Sequence, residues 1–152
     1  MKTLNYATII EQPPAIVFAV MTDKALYPEW AKAWGEGMTY TGEWQLGAHL
    51  SFLDEQRGGT KVVIEEFVQD KVIKCRHIAM VSPDNIEIQV MDNTMQKWVD
   101  TQENYYFYDH GQNATQLEVE MVTDEMFEGM MANWTIALQL LKVLCESGTR
   151  PS

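Results

Sequence analysis

Glu66 and His77 are the residues of this sequence best placed for proton chemistry, because the pattern around them turns both toward an apolar interior. Lys61 to Gln69 and Val72 to Val81 alternate as two strands. A two-residue turn at Asp70-Lys71 sets Val68 opposite Ile73, Glu66 opposite Cys75 and Ile64 opposite His77. Lys74 and Arg76 then share the solvent face. Ile73, Cys75, His77, Ala79 and Val81 face inward with Val62, Ile64, Glu66 and Val68. Burying a carboxylate is costly without compensating donors, and the imidazole lies diagonally across the hairpin, roughly 7 Å away by cross-strand geometry. Such a pair could fix the polar end of a ligand or serve an acid/base step. The competing reading is scaffolding, with Glu66 bonded to backbone amides or Trp34 and His77 satisfied in the core.

Other chemistry finds less support. Cys75 faces the same interior with no cationic neighbour or helix N-terminus to make it a thiolate, so it reads as a small buried hydrophobe. His49 and His110 fall on a different strand and in a turn, which leaves no three-ligand constellation, and no metal is expected. Gly58-Gly59-Thr60 lacks the lysine and spacing of a phosphate-binding loop, and no HExxH, serine elbow or dinucleotide fingerprint occurs. No cofactor is expected. What remains is an aromatic and methionine supply. Trp30, Trp34 and Phe52 come early, Tyr106 and Tyr108 on a late strand, and Phe127, Met130 and Trp134 on the last helix, suited to lining a pocket for a flat or oily molecule.

These residues need elements to hold them. Thr3 to Glu11 alternates as a strand, stopped by Pro13-Pro14, which also presets a helix start. Ala15 to Met21 reads as a short helix, and Thr22 or Asp23 caps a second reaching Trp34, with Pro28 in its first turns and Gly35 and Gly37 at its end. Met38 to Trp44 and Ala48 to Leu53 come next as strands, then the Lys61 to Val81 hairpin. Ile86 to Val90 alternates, but its flanks are loop-like and Ser82 to Met95 stays ambiguous. Trp98 to Asp109 and Ala114 to Thr123 form a final hairpin about His110 to Asn113, with Leu117, Val119 and Met121 inward. The simplest register puts Asn104, Tyr106 and Tyr108 inside, whereas a bulge would reverse that. Asp124 caps a helix over Glu125 to Glu146. The fold class is therefore α+β: a curved antiparallel sheet of about six or seven strands wrapped around a long C-terminal helix, enclosing a cavity.

The chain has 152 residues, 46% of them hydrophobic, and no linker or repeat, so a single domain over 1–152 with a polar tail at 147–152 is expected. A formal charge of −11 with no basic stripe argues against nucleic acid. No apolar run approaches a membrane span, so membrane insertion is not expected. Two cysteines without a disulfide framework fit a cytoplasmic protein.

PPAIVFAVMTDKALYPEW, IEEFVQDKVIKC and NWTIALQLLKVL resemble the strand-to-helix opening, central hairpin and closing helix of the SRPBCC superfamily, the helix-grip fold of START lipid-transfer domains and polyketide cyclases. The likeness is strongest to the branch related to the activator of the heat-shock chaperone ATPase, in which the position of Glu66 often carries a glutamate. Val81 to Gln96 departs from the pattern. The leading expectation is binding of a small hydrophobic or aromatic molecule between sheet and helix, with Glu66 and His77 at its polar end. The alternatives are a cyclase-like or isomerase-like enzyme with Glu66 as general base and a co-chaperone-like protein-binding module. Exposed aromatics on the Trp98 to Asp109 strand could also pair subunits into a homodimer.

Overall fold

A computed structural model describes residues 1–151; Ser152, the end of the expected polar tail, lies outside the described residues. The chain forms one seven-stranded antiparallel sheet in the order β1-β7-β6-β5-β4-β3-β2. Its strands are β1 Lys2–Ile10, β2 Met38–Gly42, β3 His49–Asp54, β4 Gly58–Val68, β5 Val72–Val81, β6 Gln102–Asp109 and β7 Thr115–Thr123. Neighbours in sequence from β2 onward pair antiparallel, and β7 returns beside β1 in register from Lys2↔Thr123 to Ile10↔Thr115. The expected α+β helix-grip architecture is the one observed.

Two helical passages pack on the concave face. The first comprises α1 Pro14–Met21 and α2 Tyr27–Ala31, the latter continued by a tight turn at Lys32–Trp34. Pro14 opens α1 where its missing N–H costs nothing, and the Thr22 hydroxyl donates to the Phe18 carbonyl at its end. The Asp23 carboxylate accepts the Leu26 N–H in the turn ahead of α2, whose N-cap position is Leu26 and carries no side-chain cap, rather than Thr22 or Asp23 as expected. The segment is thus broken, as Pro28 suggested. Between β5 and β6 stands α3 Asn93–Trp98, which begins within the stretch that reads ambiguously in sequence.

The second passage corrects an expectation. Instead of one helix over 125–146 there are three pieces: a turn at Glu125–Phe127, α4 Glu128–Met131 and α5 Trp134–Glu146. Asp124 caps the start by accepting the Met126 N–H. Gly129 weakens the helix locally, and the Trp34 indole N–H donates to the Met130 carbonyl at 3.3 Å, which helps bend the chain before α5. From α5, Trp134, Ala137, Leu138, Leu141 and Cys145 are buried at helical spacing.

Two bulges reset the central hairpin. Ile64 pairs with Cys75 and Glu66 with Lys74, leaving Glu65 unpaired, while Lys61 pairs with Ala79 and Val62 with His77, leaving Ile78 unpaired. Each extra residue reverses the inward and outward parity of the strand beyond it. Phe67 therefore packs inward against Phe18, with ring centroids 5.7 Å apart, and Val68 is exposed. The turn is closed by the Lys71 N–H on the Val68 carbonyl, with Asp70 at φ 64°.

Candidate functional site

The concave face and the helices enclose a partly open cavity of about 370 Å³. One wall runs along α2 and the C-terminal passage: Tyr27 meets Trp30 at 4.8 Å between ring centroids, Trp30 meets Trp134 at 5.9 Å, and Trp134 meets Trp34 at 4.7 Å. Phe52 of β3 stacks on Tyr27. The opposite wall is Trp98 on Phe127, at 5.0 Å and nearly perpendicular. Edge-to-face pairs of this kind add about 0.5–1.5 kcal/mol each beyond burial, so the walls are stiff. Five methionines, Met38, Met80, Met95, Met130 and Met131, complete the lining with pliable thioethers.

His77 lies on this cavity, as its strand pattern implied, and is almost wholly buried. Its Nδ1 is 2.9 Å from the Thr60 hydroxyl and 3.2 Å from the Trp98 indole nitrogen, which donates to it. The same indole N–H also lies 3.2 Å from Thr60 Oγ1. An Nδ1 that accepts leaves the ring hydrogen on Nε2, and Nε2 is 3.1 Å from Glu103 Oε1. The second Glu103 oxygen accepts from the Tyr105 hydroxyl. Glu103 lines the cavity, with its side chain only 12% exposed. Its charge is felt across the site: burial above all, then the Glu103 charge, holds the Tyr27 hydroxyl and the Cys75 thiol well above their usual ranges.

Local structure explains the placement of these groups. Asp92 caps α3 by accepting the Met95 N–H at 2.8 Å, and the short helix delivers Trp98 onto the His77 ring at 4.7 Å between centroids. The His77 N–H donates to the Thr101 carbonyl, tying the strand to the loop behind α3. The bulge at Ile78 turns Met80 onto the cavity in place of Ala79, opposite Thr60, which shares the inward parity of Val62 and Ile64 on β4.

Of the side chains singled out in the sequence, Trp30, Trp34, Phe52, His77, Phe127, Met130 and Trp134 line the cavity. Ile64 and Cys75 are buried in the core but are not among its lining residues. Three expectations are overturned. Glu66 is exposed on the outer face, 3.9 Å from the Lys74 ammonium, because the Glu65 bulge turns it away from the interior. Tyr106 and Tyr108 also lie on the outer face, stacked on each other at 6.0 Å, while Glu103, Tyr105 and Phe107 face inward opposite Met121, Val119 and Leu117. Asn104 is buried, but its amide serves Glu120 on that outer side. The cause is loop length: Asp109 pairs with Thr115, so the loop holds residues 110–114, one more than the simplest register allows. Gly111 and Asn113 at positive φ accommodate it.

Sequence reasoning missed Glu103, Trp98 and Thr60. The Gly111 and Asn113 pair signalled a longer loop and hence Glu103. Asp92 ahead of Met95-Gln96-Lys97 is a helix-start pattern that pointed to Trp98. Thr60 shares the parity of Val62 and Ile64, so the alternation of that strand, carried two residues further back, pointed to it. Among the described residues no His, Cys, Asp and Glu side chains gather into a metal-binding group, and no helix is long and apolar enough to cross a membrane.

No protein-family profile and no curated protein sequence matches this chain. Solved structures do. Protein MLL2253 from Mesorhizobium loti superposes with a TM-score of 0.76 at 13% identity, over 97% of this chain and 98% of that one. The Aha1 dimer from Colwellia psychrerythraea gives 0.70 at 16% identity, over 97% and 98%. CalU16 from Micromonospora echinospora gives 0.66 at 15% identity, over 94% and 75%. At these identities the likeness is one of fold, and it bears out the helix-grip resemblance of the sequence at that level.

Proposed function

We propose that the protein binds a small hydrophobic or aromatic molecule between its sheet and C-terminal helices, with the polar end of the ligand at the His77–Glu103 pair. The observation that carries this reading is a cavity of about 370 Å³ lined by rings and thioethers around one polar patch, the composition and size of a ligand pocket. Two free, buried thiols support a reducing, cytoplasmic setting.

The test is native mass spectrometry of freshly purified protein together with titration of an apolar naphthalene probe, read by the fluorescence of the lining tryptophans. A retained small-molecule mass that is released on denaturation, or saturable quenching, is expected. Protein that carries no small molecule and shows no quenching overturns the reading. Stoichiometric co-purification of a chaperone in that case favours a co-chaperone-like role.

The hydrogen-bonded pair itself supports a second reading, proton transfer on the bound molecule. Glu103, held by the His77 and Tyr105 donors at the cavity wall, would take the base role that the sequence suggested for Glu66. A loss of turnover in Glu103→Gln that exceeds its loss of affinity distinguishes this from binding alone.

A further inference from the structure

We infer that the cavity selects a lipophilic cation, a hydrophobic amine or quaternary ammonium, over neutral or anionic molecules of the same shape; this rests on the binding reading above. Among the described residues Glu103 is the only acidic side chain of the lining, and no lysine or arginine joins it. The lining offers an anion little: the Nε2 hydrogen of His77 is engaged by Glu103, and Nδ1 accepts from the Trp98 indole. The Thr60 hydroxyl also lies 3.2 Å from the Ala79 carbonyl, to which it donates. An anion would find little beyond the unpartnered Trp30 indole N–H to replace its hydration, and it would stand beside the like charge of the Glu103 carboxylate.

A cation meets the opposite situation. The Glu103 carboxylate accepts from His77 and Tyr105 and retains lone pairs for an ammonium N–H. The same lining carries the indole rings of Trp30, Trp34, Trp98 and Trp134, and ring faces attract cations most strongly where water is excluded. The whole molecule, at −11, adds a field that draws cations toward the opening.

The experiment compares phenylbutylamine, phenylbutanol and phenylbutyrate at neutral pH by tryptophan fluorescence titration. The amine is expected to bind at least about tenfold more tightly than the alcohol, in keeping with cation–π and carboxylate contacts in a desolvated site, with the carboxylate weakest. Glu103→Gln should bring the amine-to-alcohol ratio toward one. Because that substitution also disturbs His77 and Tyr105, a second comparison uses the unaltered protein, setting benzyltrimethylammonium against its uncharged isostere neopentylbenzene; the cation should bind more tightly. If phenylbutanol binds as well as or better than the amine, the inference fails and the pocket reading stands. If none of the probes binds, both fall.

Discussion

With a neutral ring the Nε2 hydrogen of His77 goes to Glu103, while the Trp98 N–H lies 3.2 Å from both Nδ1 and Thr60 Oγ1 and the single Thr60 hydrogen is shared between Nδ1 and the Ala79 carbonyl. That arrangement aims a carboxylate, rather than an imidazole, at the cavity. Glu66 has no comparable surroundings. It is an exposed partner of Lys74 at 3.9 Å, the kind of pair worth well under about 1 kcal/mol. Glu66→Gln is therefore expected to change stability by less than about 0.5 kcal/mol and to leave probe binding as it was. His77→Leu should cost about 1–3 kcal/mol, because it strips a donor from Glu103 and an acceptor from Trp98. Urea unfolding of the two variants side by side checks both figures. Equal costs would mean that the His77 network contributes nothing.

Hairpin connections and bulges decide which face of each strand reaches the cavity. One additional residue in the 110–114 loop puts Glu103, Tyr105 and Phe107 inside, and one at Ile78 brings Met80 onto the lining opposite Thr60. The β3–β4 turn is equally tight. A Cβ on Gly59 would stand 1.9 Å from the Phe52 carbonyl oxygen, and Gly58 holds φ +80° with the Val81 carbonyl oxygen 2.3 Å from its own Cβ position. These backbones close the cavity beside Phe52 because no side chain separates them. Gly59→Ala is expected to destabilise the protein by at least about 1–3 kcal/mol and to weaken probe binding, since β3 and β4 must move apart. Thermal melting and fluorescence titration measure the two effects, and a variant with unaltered melting temperature and affinity would contradict this account of the turn.

The molecule as a whole keeps its buried thiols and the Tyr27 phenol neutral. Burial pushes the Cys145 thiol up to about 12, and it raises the Cys75 thiol and the Tyr27 hydroxyl well above their usual ranges. For an acid whose folded pKa exceeds its unfolded value, the native state binds more protons at high pH. Its contribution is complete below the unfolded pKa and is lost as pH rises toward the folded one. With ordinary values of 9.0 for cysteine and 10.0 for tyrosine, the loss begins near pH 9 and continues toward about 12. Urea midpoints should therefore decline steadily above about pH 9, reinforced by self-repulsion of a chain already at −11. A flat or rising midpoint across that window would contradict the burial of these groups.

The order of the strands, the first and last helical passages, the helix-grip architecture and an aromatic interior were legible in the chain, because alternation, proline and glycine punctuation and capping are local signals; α3 was not, and Trp98, expected to open a strand, ends that helix instead. Trp30, Trp34, Phe127 and Trp134 could be placed on the inner surface for the same reason. The identity of the cavity's acid could not. Whether Glu66 or Glu103 faces inward turns on a single unpaired residue at Glu65 and a single extra residue in the 110–114 loop, and each shift exchanges the side chains beyond it between core and solvent. Those shifts are settled by how Phe67, Tyr105 and Phe107 pack against Phe18 and Trp134, contacts between segments far apart in the chain that only the folded molecule brings together.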